Sequence, residues 1–177
     1  WATHGLPNDI NAHPHISGNG RLSLVHNGII ENYDTLRKAL EKLGHIFNSD
    51  TDTEVLVHLI EEIQKSDNLP IEEAVRISLQ KVVGAYAIVV IDKEDPNKLV
   101  AARKASPLVI GIGENDFYIA SDATPIIEYT KEVVYVNDYE LENEKPDELI
   151  LKNLGNEKLT PFVTKLDMEL KKKKKGG

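Results

Sequence analysis

Apolar positions change their period along this chain, from a short first strand through a helical stretch to a longer stranded one. Residues 1–20 are rich in Gly, Pro, Asn and His and read as loop. From Arg21 to His26, Leu22, Leu24 and His26 alternate with Arg21, Ser23 and Val25, the two-residue period of a short strand. Asn27-Gly28 follows as a turn signal. Three helical patterns come next. Asn32 is placed to cap a helix carrying Leu36, Ala39, Leu40 and Leu43, with Gly44 just past its end. Thr51-Asp52-Thr53-Glu54 has the form of a capping box and precedes Val55, Leu56, Leu59, Ile60 and Ile63 at helical spacing. Pro70 opens a third helix with Ile71, Ala74, Val75, Ser78, Leu79 and Val82 on one face.

The remainder reads as strands. Ala85–Ile91, Lys98–Ala102, Leu108–Ile112, Phe117–Ala120, Val133–Val136 and Glu148–Leu151 are short apolar or alternating runs, several separated by Gly, Pro, Asn or Asp. Residues 123–130 are expected to form a short helix. Helices followed by a block of strands predict an α+β domain with helices covering sheet faces. There are no internal repeats and no regular βαβ alternation.

Composition narrows the function classes. A length of 177 residues suits one domain with a substantial core, and 41% hydrophobic residues is ordinary for a globular chain. The net charge of −8 argues against a nucleic-acid partner, which requires a basic face. No apolar run approaches the ~20 residues of a membrane span, and the N-terminus lacks the layout of a signal peptide. The absence of cysteine excludes disulfides and thiolate metal sites and fits a cytoplasmic setting. Lys171 to Lys175 reads as a solvated tail or linker. The domain is expected over residues 1–165, with 166–177 as linker or tail.

Four groups of residues offer chemistry, each with a plainer structural alternative. Trp1-Ala2-Thr3-His4-Gly5 places a hydroxyl and an imidazole beside a glycine, able to hold a carboxylate beneath the indole, or is a polar loop with one packed Trp. Asn11-Ala12-His13-Pro14-His15 spaces two imidazoles to ligate a metal with His4 or His26, or is a loop fixed by Pro14. His26-Asn27-Gly28 ends a strand, where a side-chain amide and a backbone N–H can aim at one oxygen, as an oxyanion hole requires; otherwise it is a hairpin turn. Asp52 can bind an ammonium group or simply favour the helix dipole. Gly111-Ile112-Gly113 lacks the third glycine of a dinucleotide site, and no serine sits in a nucleophile elbow.

In order along the chain, these strings are more specific than any one of them. Trp-Ala-Thr-His-Gly-x-Pro at 1–7, Asn-Ala-His-Pro-His at 11–15, His-Asn-Gly-Ile-Ile-Glu-Asn at 26–32 and Thr-Asp-Thr-Glu at 51–54 belong to the set. Gly-Ala-Tyr at 84–86, Ala-Arg-Lys-Ala-Ser-Pro-Leu-Val-Ile-Gly at 102–111 and Ala-Ser-Asp at 120–122 complete it. Together they resemble the glutaminase domain of the glutamine–fructose-6-phosphate aminotransferase family over roughly residues 1–170. The resemblance implies a class II glutamine amidotransferase with the N-terminal-nucleophile hydrolase fold, a four-layer αββα sandwich. It implies attack of an N-terminal cysteine on the glutamine carboxamide, release of ammonia and hydrolysis of a glutamyl thioester. The ammonia would then pass to a sugar-isomerase domain that converts fructose 6-phosphate to glucosamine 6-phosphate.

The roles implied at matching positions are an oxyanion hole at Asn27 and Gly28, carboxylate binding at Thr3 and His4, ammonium binding at Asp52, and a covering role for Trp1. No cofactor or metal is implied, and the parent family is usually dimeric. The sequence departs from the family in having no cysteine, no arginine before Trp1 and no isomerase domain. An N-terminally truncated piece without glutaminase activity is therefore expected. Three alternatives stay open: a glutamine- or glutamate-binding module without catalysis, a glutaminase domain of the amidophosphoribosyltransferase type, and a His-based metal protein.

Overall fold

The computed structural model describes Asp9 and residues 14–95, 99–112, 117–122, 124–126, 129, 133–135, 140–145 and 148–153. Within them the chain runs through β1 (His15–Ile16), β2 (Leu22–Ile30), α1 (Tyr33–Lys42), α2 (Asp52–Asp67) and α3 (Ile71–Leu79). It continues through β3 (Gly84–Asp92), β4 (Leu99–Lys104), β5 (Val109–Ile112), β6 (Phe117–Ala120), β7 (Val133–Tyr135), β8 (Glu140–Lys145) and β9 (Glu148–Asn153). Two antiparallel sheets result, one ordered β1-β2-β3-β4-β8-β9 and the other β6-β5-β7. The expected order of helices before strands is observed. The short strands β1 and β8 carry no clear pattern and are additions to the sequence reading. Thr124–Ile126 is a turn where a short helix was expected.

The two faces of the larger sheet separate by residue parity. Leu22, Leu24 and Ile30 of β2, Tyr86, Ile88 and Val90 of β3, and Val100 and Ala102 of β4 point one way, into a core completed by the helices. Fully burying each aliphatic side chain here contributes roughly 1.5–3 kcal/mol. Ala87 and Ala101 point the other way and pack with Leu108 and Ile110 of the second sheet and its approach, with Val89, Leu99 and Ile119 around them. Small residues at these positions suit close approach of two sheets. On this second face Val25 and Ile29 stay 39% and 47% exposed on either side of Asn27, so the described residues cover it only in part.

α2 is the most enclosed helix. Val55, Leu56, Val57, Leu59 and Ile60 are buried, and so are Asp52, Thr53, Glu54, His58, Glu61 and Gln64. Polar groups reach burial here because each meets a loop or strand: Gln64 Nε2 donates to Asp92 Oδ2 at 3.1 Å. Asp92 also receives the Arg21 guanidinium in a two-pronged pair at 2.8 Å for each contact, so one carboxylate joins the start of β2, the end of β3 and α2. No helix among the described residues is long and apolar enough to cross a membrane.

The helix ends differ from their sequence signals in an informative way. Asn32 occupies the N-cap of α1, but its side chain makes no cap bond. It donates to the Lys81 carbonyl and accepts from the Val83 N–H, both at 2.9 Å, and so fastens α1 to the entry of β3. Gly44 does lie beyond α1 at φ 94°, and Pro70 does open α3.

Burial raises the affinity of Asp92 for a proton, but the hydrogen bonds from Arg21, Glu94 N–H and Gln64 outweigh it and hold the carboxyl below its ordinary 3.8. A depressed folded value means stability that is present above the ordinary aspartate range and lost as pH falls through and below it. Urea midpoints measured from pH 7 to pH 3 should therefore fall for the parent. Asp92→Asn should start lower at pH 7, by about 1–3 kcal/mol, and decline less steeply with acid.

Candidate active site

Asn27 and Gly28 lie inside β2, not in the hairpin turn that their dipeptide signals. The strand continues to Ile30 and pairs Asn27 with Ala87, Gly28 with Tyr86 and Ile30 with Gly84. The glycine is needed for a different reason. Its φ is +133°, and a Cβ on it would collide with the Ala85 carbonyl oxygen and come within 3.0 Å of Ser106 Oγ. Across the ladder Gly84 has φ +128°, and a Cβ there would collide with the Ile29 carbonyl oxygen. The two strands are thus pinched together where each presents a glycine.

The N-terminus of α2 is bolted to β2 on both sides of this pinch. Asp52 Oδ2 accepts the Ile30 backbone N–H at 2.8 Å, and Asp52 is only 3% exposed. Thr53 Oγ1 lies 3.0 Å from His26 Nδ1. The first two residues of the helix therefore bracket Asn27-Gly28, residues 26 and 30 being the fixed points. Burying a carboxylate is costly unless hydrogen bonds or an opposite charge compensate, and the Ile30 N–H supplies one such compensation.

The capping box that sets this helix in place is only half formed. Thr51 Oγ1 accepts the Glu54 N–H at 3.3 Å. The Glu54 carboxylate does not return to Thr51; it takes the Asn48 N–H at 2.8 Å and the Ser49 N–H at 2.6 Å. Burial pushes the Glu54 carboxyl up, but bonds from His58, the Ser49 hydroxyl and these two N–H groups together carry it down to about 2. The loop ahead of α2 is held by a charge-assisted network as a result.

Asn27 points away from the helices and is exposed. It shares a cross-strand row with Ala87 and Arg103. Arg103 lines a cleft of about 200 Å³ with Pro107, Leu108, Val109, Ser121, Asp122 and Tyr135. The strings at 102–111 and 120–122 thus meet on the face that carries Asn27. The backbone at Ala105 turns through φ 59°, unusual for a residue with a side chain, and brings Ser106 beside Gly28.

Of the predicted site residues, Asn27 and Gly28 lie on β2 between the two contacts from the start of α2; the Asp52 carboxylate is buried at Ile30 on the helix side, whereas the Asn27 side chain faces the other way. Trp1, Thr3 and His4 lie outside the described residues, as does His13. His15 and His26 do not join a metal grouping among the described residues; His15 Nε2 lies 3.2 Å from Thr51 Oγ1 and His26 meets Thr53, so both serve the start of α2. Ser106 and Arg103 were inside a matching string but were not singled out. Only the fold shows their proximity to β2.

Comparison with known proteins identifies the family and the fold. A sequence model described as a glutamine amidotransferase domain matches residues 7–128. A glutamine–fructose-6-phosphate aminotransferase (isomerizing) of Bacteroides thetaiotaomicron is 51% identical across 100% of this chain, which spans 29% of that relative. A protein of the same description from Thermotoga maritima is 46% identical with the same shares. The chain therefore spans about 29% of the length of these relatives. Among solved structures, glutamine phosphoribosylpyrophosphate (PRPP) amidotransferase from B. subtilis superposes with a TM-score of 0.70 at 26% identity, covering 84% of this chain and 33% of that one. A glutamine aminotransferase class-II domain protein from Silicibacter pomeroyi shares the fold with a TM-score of 0.61 at 16% identity, over 80% of this chain and 70% of its own.

The pinch makes a quantitative prediction. Gly28→Ala should destabilise the chain by about 2 kcal/mol or more, because the left-handed backbone and the Ala85 carbonyl both oppose a side chain. Gly20→Ala, also at positive φ (+72°) but with nothing within 4 Å of the new Cβ, should cost no more than about 1 kcal/mol. Urea unfolding of the two variants provides the comparison.

Proposed function

This chain belongs to the glutamine amidotransferase domain family and has its N-terminal-nucleophile hydrolase fold, and we propose that its pinched strand end and helix start form the pocket in which glutamine is held for cleavage. The observation that carries the proposal is the bracketing of Asn27-Gly28 by His26–Thr53 and Ile30–Asp52 contacts. That bracketing supports the reading, because it holds the Asn27-Gly28 segment in a fixed relation to the helix start that carries Asp52. In the proposed arrangement the Asp52 carboxylate holds the substrate α-ammonium. Thr3 and His4 hold its α-carboxylate, and Trp1 covers it. When a nucleophile adds to the carboxamide carbon, the oxygen gains negative charge. The Asn27 Nδ2–H and the Gly28 N–H donate to that oxygen, so the stabilisation grows as the charge develops. Collapse expels the nitrogen as ammonia, and water then cleaves the acyl bond to give glutamate.

The nucleophile itself is not among these residues, which include no cysteine. On this reading it comes from other polypeptide. In a longer protein like the relatives, the ammonia would be used on fructose 6-phosphate to form an amino sugar phosphate. The missing cysteine also favours a second reading, a module that binds glutamine or glutamate without chemistry.

Asp52→Asn separates binding from folding. The amide oxygen of asparagine still accepts the Ile30 N–H, but the charge is gone. Titration calorimetry should show glutamate binding to the parent and a loss of about tenfold or more for Asp52→Asn, the loss of one charged contact at 1.5–3 kcal/mol. Equal affinities would overturn the assignment of the ammonium site. A coupled assay for ammonia release from glutamine should give no turnover with the purified 177-residue chain; sustained release would mean that a different nucleophile operates.

A further inference from the structure

A second cluster of reactive side chains lies on the far side of α2 from the pocket. His45 follows α1, and His58 and Glu61 project from α2 one turn apart. His45 Nδ1 and His58 Nδ1 are 2.9 Å apart, His58 Nδ1 and Glu61 Oε2 are 3.6 Å apart, and His45 Nδ1 and Glu61 Oε2 are 3.9 Å apart. We propose that His45, His58 and Glu61 form a binding site for a divalent transition-metal ion of the zinc type, separate from the glutamine pocket.

The geometry supports this in three ways. Inside a triangle with those sides there is a point about 2.0 Å from all three atoms, the length of a Zn–N or Zn–O bond. Two imidazole nitrogens and one carboxylate oxygen form a donor set suited to zinc. The surroundings also match what metal-bound histidines require. His45 Nε2 lies 2.6 Å from Glu62 Oε2, and His58 Nε2 lies 3.4 Å from Glu54 Oε1. Each ring thus turns its outer nitrogen to a carboxylate, which fixes Nε2 as the donor and leaves Nδ1 as the ligand.

That orientation leaves both Nδ1 atoms facing each other as acceptors. A hydrogen bond between them requires one ring to carry its hydrogen on Nδ1 and give up its outer contact, whereas a cation bound to both satisfies all four nitrogens. Glu61 favours the cation, because its carboxylate converges on the same point. It is held there by the Gly18 N–H at 2.8 Å to Oε2 and the Asn19 N–H at 3.0 Å to Oε1. His58 and Glu61 are 2% and 8% exposed, so the ligands are already desolvated and positioned. Among the described residues no fourth His, Cys or carboxylate joins the group, and solvent completes the coordination.

The consequence is mechanical. The ligands join the α1–α2 connection to α2, and Glu61 brings in the turn between β1 and β2. An ion there stiffens the helix whose first turn carries Asp52. Zinc occupancy is thereby a stabiliser of the pocket rather than a participant in the chemistry.

The test uses the purified chain after treatment with a chelator and removal of that chelator. Calorimetry with zinc chloride should give one equivalent per chain. At a hundredfold excess over the dissociation constant, the melting midpoint should rise by roughly 5–10 °C. Cobalt substituted for zinc should give the visible absorption of a tetrahedral site. Glu62→Gln, which alters only the outer contact of His45, should weaken zinc binding about 10–100-fold. His45→Ala should abolish the one-equivalent binding while melting as a folded protein in chelator. His13→Ala should leave binding unchanged. Absence of zinc binding, which is what a shared proton between the rings gives, would overturn the proposal. So would binding that survives His45→Ala or is lost with His13→Ala, since the ion would then sit elsewhere.

Discussion

The buried bond from the Ile30 N–H to Asp52 is the constraint on which the site depends. A strand and a helix normally meet through apolar side chains, whose attraction is non-directional and tolerates sliding. A hydrogen bond between a backbone N–H of β2 and the first residue of α2 does not tolerate it. It fixes the helix along its axis and in rotation, and the His26–Thr53 contact four residues back along the strand fixes the second point. Two such points define where Asn27 and Gly28 stand relative to a carboxylate. The oxyanion site proposed for Asn27 and Gly28 requires positioning to about half an ångström.

The glycine pair adds a constraint of another kind. Gly28 and Gly84 let the two strand backbones approach beyond what any side chain permits. On the proposed reading a backbone N–H must reach the substrate, which it can do only where no side chain intervenes, and the pinch then serves the chemistry as well as the pairing. It has a structural cost, since glycine weakens a strand interior and positive φ is available to few residues. The bolts from α2 on either side keep this strained segment in one conformation.

Much of this was legible in the sequence, and the failures have definite causes. The three helices and most of the strands followed from periodicity, because an amphipathic pattern reports which face meets the core. Asn27-Gly28 was read as a turn, since local chemistry favours a turn there. Pairing with all of β3 overrode that preference and carried the strand to Ile30. Asn32 was read as a cap, and the residue type was right for an N-cap; but Lys81 and Val83, distant in sequence, offer it better partners. Asp52 was identified as a helix-start carboxylate, while its bond to Ile30 was invisible because it joins segments 22 residues apart. The His45 cluster was missed outright. No short spacing pattern contains it, because one ligand comes from a loop and two from the next helix.

α2 explains why so many polar residues hold one helix without unfolding the argument for a core. Its spacing of Val55, Leu56, Leu59 and Ile60 marks one apolar face, which predicts a second, solvated face. The second face is instead enclosed, and Asp52, Thr53, Glu54, His58, Glu61 and Gln64 are buried with it. Leaving any one of these groups unsatisfied would cost about 1–3 kcal/mol, so each needs a partner that arrives with the fold. The partners are backbone N–H groups at Ile30, Asn48, Ser49, Gly18 and Asn19, together with Asp92 and His26. Those partners lie on β2, β3 and two loops, which therefore cannot detach singly without stranding a buried polar group on the helix. The helix acts as a common hydrogen-bonding partner for its surroundings, accepting through Asp52, Glu54 and Glu61 and donating through Gln64. The same polar surface that makes folding cooperative around α2 carries the Asp52 carboxylate at one end and the His58–Glu61 pair about two turns further along.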